Sequence, residues 1–509
     1  MFKLIQYLAE VIKSGSLYCV DSMSMDRVAM RVHSSTLQFI FLCLGVLVVI
    51  VIIRQMSTPL QRTPIRVEIP TTSTPFMQET PWQTNPEIIF TQDYFGYNTS
   101  RIPALVHHNG YFLAFCEGRK DTPMDIGRMD IIYRRGTIED KKVFWGDVQV
   151  VASMYGYRLM NPNPIIEKEL NIVIVVFIGI PAWLDQFDMI QQGEHSQKVY
   201  MVKSFDNGET WSGLRDITDM TIARIEPPIS MFAPGPGHGI QLESGRLMFA
   251  GNYFVRDENG LNHKPEVNFL NSSNYAVIFW SDDKGMTWEL GGGITDPASQ
   301  ENFAPIFANE AMVVEIDDGN ICLNCRTLHH DMPRVQAFSK DEGRTFGKSS
   351  LSMDLVEPGF KQTENETIPA HAAGCQASLV GFPAPSHHPS QTRRWVLFSN
   401  PASAMFREQM SIRLSRDGCA TWSVPWTIHS NSSAYSDLTY FETIIKRDSH
   451  TQRTQNFALL YEGGYDSPYN HIYFKMFNLE AVLSGIQNST NSFTHKLKMD
   501  SKKTRAPLE

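Results

Sequence analysis

The sequence predicts an all-β head, on three observations. Short apolar runs are separated by turn dipeptides: Asn109-Gly110 between LVHH and YFLAF, Ser244-Gly245 between IQLE and RLMFA, and Asp318-Gly319 between MVVEID and ICLNC. Such pairs between alternating runs are hairpin signals. An octapeptide with a fixed pattern returns four times. Convincing long amphipathic helices are absent from residues 90–480.

Composition limits the function classes. The 509 residues carry a net charge of −9, against a dedicated nucleic-acid binder, which shows a basic face. Hydrophobic residues make up 42%, enough for a large core and too many for a disordered chain. Seven cysteines are too few for a disulfide scaffold, and the odd number leaves at least one thiol unpaired within the chain.

In chain order, residues 1–36 form an N-terminal tail. Residues 37–54 are expected to be a transmembrane anchor, because Leu37–Ile53 reads LQFIFLCLGVLVVIVII with no polar face. Arg27 and Arg31 precede it, while Arg54, Arg62 and Arg66 follow. The charge rule therefore leaves orientation open; a single-pass protein with a lumenal or extracellular head is expected. Asn98, Asn271, Asn365, Asn431 and Asn488 begin permissive glycosylation sequons. Residues 55–88 hold Pro59, Pro64, Pro70, Pro75, Pro81 and Pro86 among threonines, the composition of an extended stem. The head is expected over 89–482. A flexible basic tail is expected over 483–509, with Lys496, Lys498, Lys502, Lys503 and Arg505.

The octapeptide reads Ser204-Phe-Asp206-Asn-Gly208-Glu-Thr210-Trp211 and Ser281-Asp-Asp283-Lys-Gly285-Met-Thr287-Trp288 in its first two copies. Ser339-Lys-Asp341-Glu-Gly343-Arg-Thr345-Phe346 is the third. In the fourth, Ser415-Arg-Asp417-Gly418-Cys419-Ala-Thr421-Trp422, Cys419 occupies the glycine position. The pattern is that of a tight turn: the Asp caps backbone amides, the Gly takes positive φ, and the aromatic buries beneath.

This is the Asp-box, and the chain resembles the animal exo-α-sialidases from about Asp93 to Phe477. The family's motifs stand in order. They are Ser100-Arg101-Ile102-Pro103, Phe115-Cys116-Glu117-Gly118-Arg119, Met160-Asn161-Pro162, Gly235-Pro236-Gly237-His238 and Asn309-Glu310. Leu323-Asn324-Cys325-Arg326, Arg407, Ala434-Tyr435-Ser436-Asp437-Leu438 and Leu460-Tyr461-Glu462 complete the series. The first departs from the family, which has an aromatic before the arginine. The resemblance implies a six-bladed β-propeller of four-stranded antiparallel blades. Residues 90–480 divided six ways give about 65 residues per unit, which suits one blade with its loops.

The resemblance also implies roles. Sialic acid carries a carboxylate on its anomeric carbon, and guanidinium groups pair with carboxylates through parallel hydrogen bonds. By family order the three are Arg101, Arg326 and Arg407, with Arg413 and Arg416 rivals for the third place. Glu117 and Glu462 match the carboxylates that support them. A carboxylate nucleophile would meet the substrate's own anion; a neutral tyrosine avoids this, and sialidases are the tyrosine exception among glycosidases. Tyr435 is the implied nucleophile and Glu310 its base. The implied acid lies in the loop Arg119–Arg128. Counting back from Arg134-Arg135-Gly136 favours Asp125, with Asp121 second. Its pKa is expected to be raised. Arg119, Asn161, Asn252, Tyr253 and Gln376 are further implied substrate contacts. Arg119 is expected beside the 4-hydroxyl, and Asn252 and Tyr253 along the glycerol and N-acyl region.

No metal or cofactor is called for. Gly343–Ser349 imitates a phosphate loop but has one residue too few between its glycines. Cys322 and Cys325 have no second pair to make a zinc site. The expected activity is hydrolysis of terminal α-linked sialic acid from glycoproteins, oligosaccharides and gangliosides, by a retaining mechanism. The alternatives are a non-catalytic, lectin-like propeller and a trans-sialidase of the same fold.

Overall fold

The run IVIVVFIGIP has no charged side chain and is dominated by β-branched residues; Ile172–Pro181 forms a strand buried at every position. A strand covered on both faces reads in this continuous way. A computed structural model describes residues 79–503, except 186–188, 191–195, 256–272, 297–305, 329–331, 360–372, 386–391 and 448–449. The tail 1–36, the anchor 37–54 and most of the stem lie outside the described residues. Among the described residues no helix is long and apolar enough to cross a membrane.

The repeating unit is a four-stranded antiparallel meander. Ala311–Asp317, Asn320–Cys325, Arg334–Ser339 and Ser350–Ser352 pair in chain order. A second unit runs from Ile229–Pro234 and Ile240–Gln241 through Leu247–Val255 and Asn274–Ser281 to Glu289–Ile294. Two larger sheets are fused from such units. In one, the long strand Trp426–Arg447 pairs first with Glu408–Ser415 and then with His450–Gly463. In the other, a single parallel contact, Met129 with Arg158, joins the strands Met129–Glu139 and Tyr157–Glu167. Glu87–Thr91 lies antiparallel beside His471–Asn478, so the start of the head completes the sheet that its last strand begins. This all-β architecture agrees with the sequence reading.

All four octapeptides fold alike. In the first, Gly208 N donates to Ser204 Oγ at 2.8 Å, and Thr210 donates to Asp206 through its amide (2.9 Å) and hydroxyl (2.6 Å). The glycines sit at φ +86, +74 and +81 in the first three copies, and Cys419 takes +68 in the fourth. Cys419 N still donates to Ser415 Oγ at 2.9 Å, so the hydrogen bonds hold a non-glycine residue in the left-handed region.

Separate strands and loops are tied together by the buried Asp437. Its carboxylate accepts from Leu105 N at 2.7 Å and from Ser378 Oγ at 2.6 Å, and His238 Nδ1 lies 2.8 Å away. Asn163 Nδ2 donates to the Gly237 carbonyl at 2.7 Å. Five chain segments are thus tied together, one of them the strand that carries Tyr435.

Two boundaries differ from expectation. Residues 79–88 belong to the head: Trp82 and Asn478 exchange hydrogen bonds at 3.0 and 3.2 Å. The tail expected from 483 is instead part of an α-helix, Leu479–Lys503. Asn478 caps it, accepting from Ala481 N at 3.0 Å. Leu479, Val482, Leu483 and Ile486 follow a helical spacing and pack with Trp426 and Phe477. The polar residues after Asn488 masked that short apolar stripe in the sequence.

Candidate active site

Successive strands of a meander run in opposite directions, so the beginning of each inner strand lies beside the end of its neighbour. Arg101 stands across from Glu117 and Thr99 across from Arg119. Glu310 and Arg326 flank the paired residues Ala311 and Cys325, with Arg326 N donating to the Glu310 carbonyl at 2.9 Å. The motif residues are therefore far apart in the chain yet drawn to one end of the sheets.

Glu462 is fully buried and organises one side. Its carboxylate accepts from Arg101 Nε at 3.1 Å, Ile102 N at 2.9 Å and Tyr435 N at 3.2 Å. Ile102 has φ +61, a genuine outlier for a β-branched residue that costs on the order of 1–3 kcal/mol. The buried carboxylate catches the amide which that conformation presents. Pairing between the strands slips here, between Arg101 and Ala104.

Arg326 donates to Glu310 at 2.9 Å, to the Tyr435 hydroxyl at 3.3 Å and to the Ala373 carbonyl at 2.9 Å. Arg407 donates to the Tyr469 hydroxyl at 3.1 Å and the Gly374 carbonyl at 3.3 Å. Arg101 and Arg407 lie 5.3 and 5.7 Å from the Tyr435 ring centre. All three guanidiniums thus surround one phenol. Arg413 instead donates to the Ser423 carbonyl, and Arg416 lies over Trp395; neither rival replaces Arg407.

The Tyr435 hydroxyl donates to Glu310. Burial pushes the phenol well above its usual pKa, Glu310 adds to this, and Arg326 and Arg407 oppose it only in part. The group is therefore a neutral phenol near neutral pH, with a carboxylate in hydrogen-bond contact to receive its proton.

Across the site, the fully buried Arg119 binds Glu117 at 2.6 Å and Asp125 at 2.7 Å. Asp121 instead binds the exposed Arg128 at 2.9 Å and accepts its backbone amide. Of the two acid candidates, Asp125 faces the arginines and Asp121 braces its own loop. The Asp125 side chain remains half exposed (51%). Its pKa direction corrects the expectation: burial raises it, but Arg119 and Arg101 prevail and hold the carboxyl below its ordinary value. The raised value expected of an acid is therefore not what these neighbours produce.

The remaining expected contacts separate into two groups. Asn161, at φ +58, donates its backbone N–H to Glu117 at 2.8 Å. Gln376 is buried and braces the chain beside Tyr435, accepting from Ser436 N at 2.9 Å and donating to the Pro236 carbonyl. Asn252 is buried, its Oδ1 without a hydrogen-bond partner among the described residues. Tyr253 packs in a large apolar cluster and against Tyr275, and burial pushes its pKa up to about 12. No hydrogen bond or ring contact joins these last two side chains to the arginine cluster among the described residues.

Two residues of the site escaped the sequence reading. Tyr469 touches two of the three arginines. Glu357 is fully buried, pairs with Arg334 at 2.7 Å, and accepts from Thr327 N and Cys375 N, both at 3.4 Å. It thereby fixes the segment whose carbonyls hold Arg326 and Arg407. The turn-rich loop Gly463–Asn470 was the only signal for the first, and the second had none.

Comparisons with known proteins agree with this geometry. A family described as BNR repeat-like domain matches residues 110–447. Sialidase-3 of Homo sapiens is 28% identical over 432 residues, covering 77% of this chain and 92% of that protein. Sialidase-2 of Rattus norvegicus is 30% identical over 416 residues, covering 79% and 97%. Among solved structures, a Hadza microbial sialidase aligns with a TM-score of 0.55 at 23% identity over 76% of this chain and 67% of that one. An intramolecular trans-sialidase from Ruminococcus gnavus aligns with a TM-score of 0.55 at 16% identity over 78% and 98%. These two likenesses identify the fold as a β-propeller. With a repeat description spanning most of the head and relatives matched nearly end to end, the chain belongs to the animal sialidases, a family of glycoside hydrolases.

Proposed function

We propose that the chain is an exo-α-sialidase that removes terminal α-linked sialic acid from glycoproteins, oligosaccharides and gangliosides with net retention. The observation that carries this reading is the Tyr435–Glu310 hydrogen bond set among three guanidiniums. Arg101, Arg326 and Arg407 bind the substrate carboxylate. Tyr435 attacks the anomeric carbon as Glu310 takes the phenolic proton. The bond to the aglycone breaks while Asp125 protonates the departing oxygen. Water, deprotonated by Asp125, then cleaves the sialyl-tyrosine bond, and Glu310 returns the proton to Tyr435.

The four-stranded groupings and their fused sheets support a count of six blades. We further propose a single-pass protein anchored through residues 37–53, with a lumenal or extracellular head. A lectin-like role is disfavoured, since nucleophile, base and acid all have candidates in one cluster. The test is NMR of a sialoside incubated with the enzyme. First-released α-sialic acid is expected, and initial β-sialic acid would overturn the scheme. Adding lactose to the same reaction reads transfer against hydrolysis.

A further inference from the structure

Arg407 differs from the other two guanidiniums in what holds it. Arg101 is paired with Glu462 and Arg326 with Glu310. Arg119 lies between Glu117 and Asp125. Among the described residues Arg407 makes no ion pair with a carboxylate. Its side chain rests on two neutral oxygens, the Gly374 carbonyl at 3.3 Å and the Tyr469 hydroxyl at 3.1 Å. Its own carbonyl accepts from Ser433 N at 2.9 Å, two residues before Tyr435.

Tyr469 reaches Arg101 as well. The Arg101 guanidinium carbon lies 4.1 Å from the centre of the Tyr469 ring. The ring also packs on the small apolar cluster of Ile102, Cys375, Ala434 and Tyr435. The loop that presents it is braced internally: Tyr469 N donates to Ser467 Oγ at 3.2 Å, and Ser467 N donates to Asn470 Oδ1 at 3.2 Å. Gly464 opens this turn, and a Cβ there would lie 2.2 Å from Asn470 Oδ1 and from the Ser467 carbonyl. Only glycine lets the loop close in this form.

We propose that Tyr469 is a positioning residue for the substrate carboxylate, orienting Arg101 with its ring and Arg407 with its hydroxyl while leaving the Arg407 charge uncancelled. The physical reason lies in the balance of charge. A carboxylate at this place would fix Arg407 equally well but would offset its field. A neutral hydroxyl accepts one hydrogen bond, fixes the plane of the guanidinium, and leaves the pocket one positive charge in excess at that point. The anionic end of the substrate is drawn to that excess. Arg101 and Arg326 then supply directed hydrogen bonds with little net charge of their own.

This inference rests on the sialidase reading, and the experiment separates the two. Wild type, Tyr469→Phe and Tyr469→Leu are compared in the full chain. Each is assayed for kcat and KM on a sialoside, for thermal stability, and for binding of free sialic acid and of its methyl ester. Tyr469→Phe keeps the ring and removes one hydrogen bond to a charged group. KM is expected to rise about tenfold, the effect of one such bond, with kcat changed less than about threefold and the melting temperature unmoved. Tyr469→Leu, which also strips the ring from Arg101, is expected to raise KM further.

Affinity for the free acid falls with KM, whereas affinity for the uncharged ester does not change. An unchanged KM, or equal losses for acid and ester, overturns the proposal. A wild-type chain that binds the acid selectively without turnover sinks the hydrolase reading instead, and the binding comparison still decides the role of Tyr469.

Discussion

The Tyr435 hydroxyl donates its hydrogen bond to Oε1 of Glu310, and the other oxygen of that carboxylate accepts from Arg326 at 2.9 Å. The proposed nucleophile, base and clamp are thus one connected unit, and removing a member disturbs the rest. Tyr435→Phe keeps the ring packed on Ile102, Cys375 and Ala434 and deletes the attacking oxygen. Turnover is expected to fall on the order of a thousandfold or more with little change in melting temperature. Glu310→Gln keeps the shape and loses the proton acceptor, lowering kcat by roughly 10² to 10⁴. Steady-state kinetics with thermal melts of both variants checks this. Substantial turnover by Tyr435→Phe would remove the phenol from the mechanism.

Asp125 makes a separate prediction, because the arginines beside it lower its pKa. Burial favours the protonated form, but the neighbouring Arg119 and Arg101 outweigh it. The protonated fraction in the free enzyme therefore declines from the acid range upward. A substrate carboxylate on Arg101 offsets part of the field that stabilises the Asp125 anion, so substrate shifts the pKa up. The alkaline limb of kcat is expected at higher pH than that of kcat/KM, since the first reports the complex and the second the free enzyme. Coincident limbs would contradict the argument. Asp125→Asn should cost roughly 10² to 10⁴ on a natural sugar leaving group. It should cost far less on an aryl sialoside, whose phenolate departs without a proton.

The all-β class and most members of the candidate site were legible for one reason: they depend on local chemistry. A turn that needs Asp, Gly and an aromatic at fixed spacing writes itself into eight consecutive residues, and copies such as Asp206 and Asp283 are recognisable on sight. Arg101, Arg326 and Tyr435 were found through short motifs around strand ends. Counting favours Asp125 over Asp121 but does not show which way the loop turns; in the fold it is Asp125 that meets the buried Arg119. Tyr469 and Glu357 act across long stretches of chain and sit in no motif. The terminal helix was missed because its apolar stripe covers only two turns before the polar residues begin.

Glu462 carries a prediction about stability as well as catalysis. It is fully buried and serves Arg101, Ile102 N and Tyr435 N together. Glu462→Gln leaves Arg101 as a buried cation without its partner and weakens the hold on the positive-φ residue Ile102. Breaking a buried pair from one side costs about 3 to 5 kcal/mol. Urea unfolding of the head should show a loss of that order, together with a marked fall in activity. A variant as stable as wild type would mean that solvent or Tyr469 compensates Arg101, and that Glu462 is not the anchor of this side.

The octapeptide turns predict how the head responds to acid. Asp206 is shifted down to about 2, chiefly because the Thr210 hydroxyl and amide both donate to its charged form. Asp283, Asp341 and Asp417 are lowered as well; burial raises each, and hydrogen bonds from the box threonine and serine outweigh it. An unfolded Asp titrates at about 3.9. A folded pKa below that value means that the unfolded chain takes up the proton first as pH falls. The stabilisation is therefore fully present above about pH 5 and fades as pH drops through 4 towards 2. Asp206→Asn removes the charge but keeps the size. Its melting temperature should lie below that of wild type at pH 6, and the gap should narrow as the pH falls through 4 and close only as it nears 2. A gap of constant size across that range would show that the aspartate acts through shape alone, and that the charged hydrogen bonds contribute nothing to the turn.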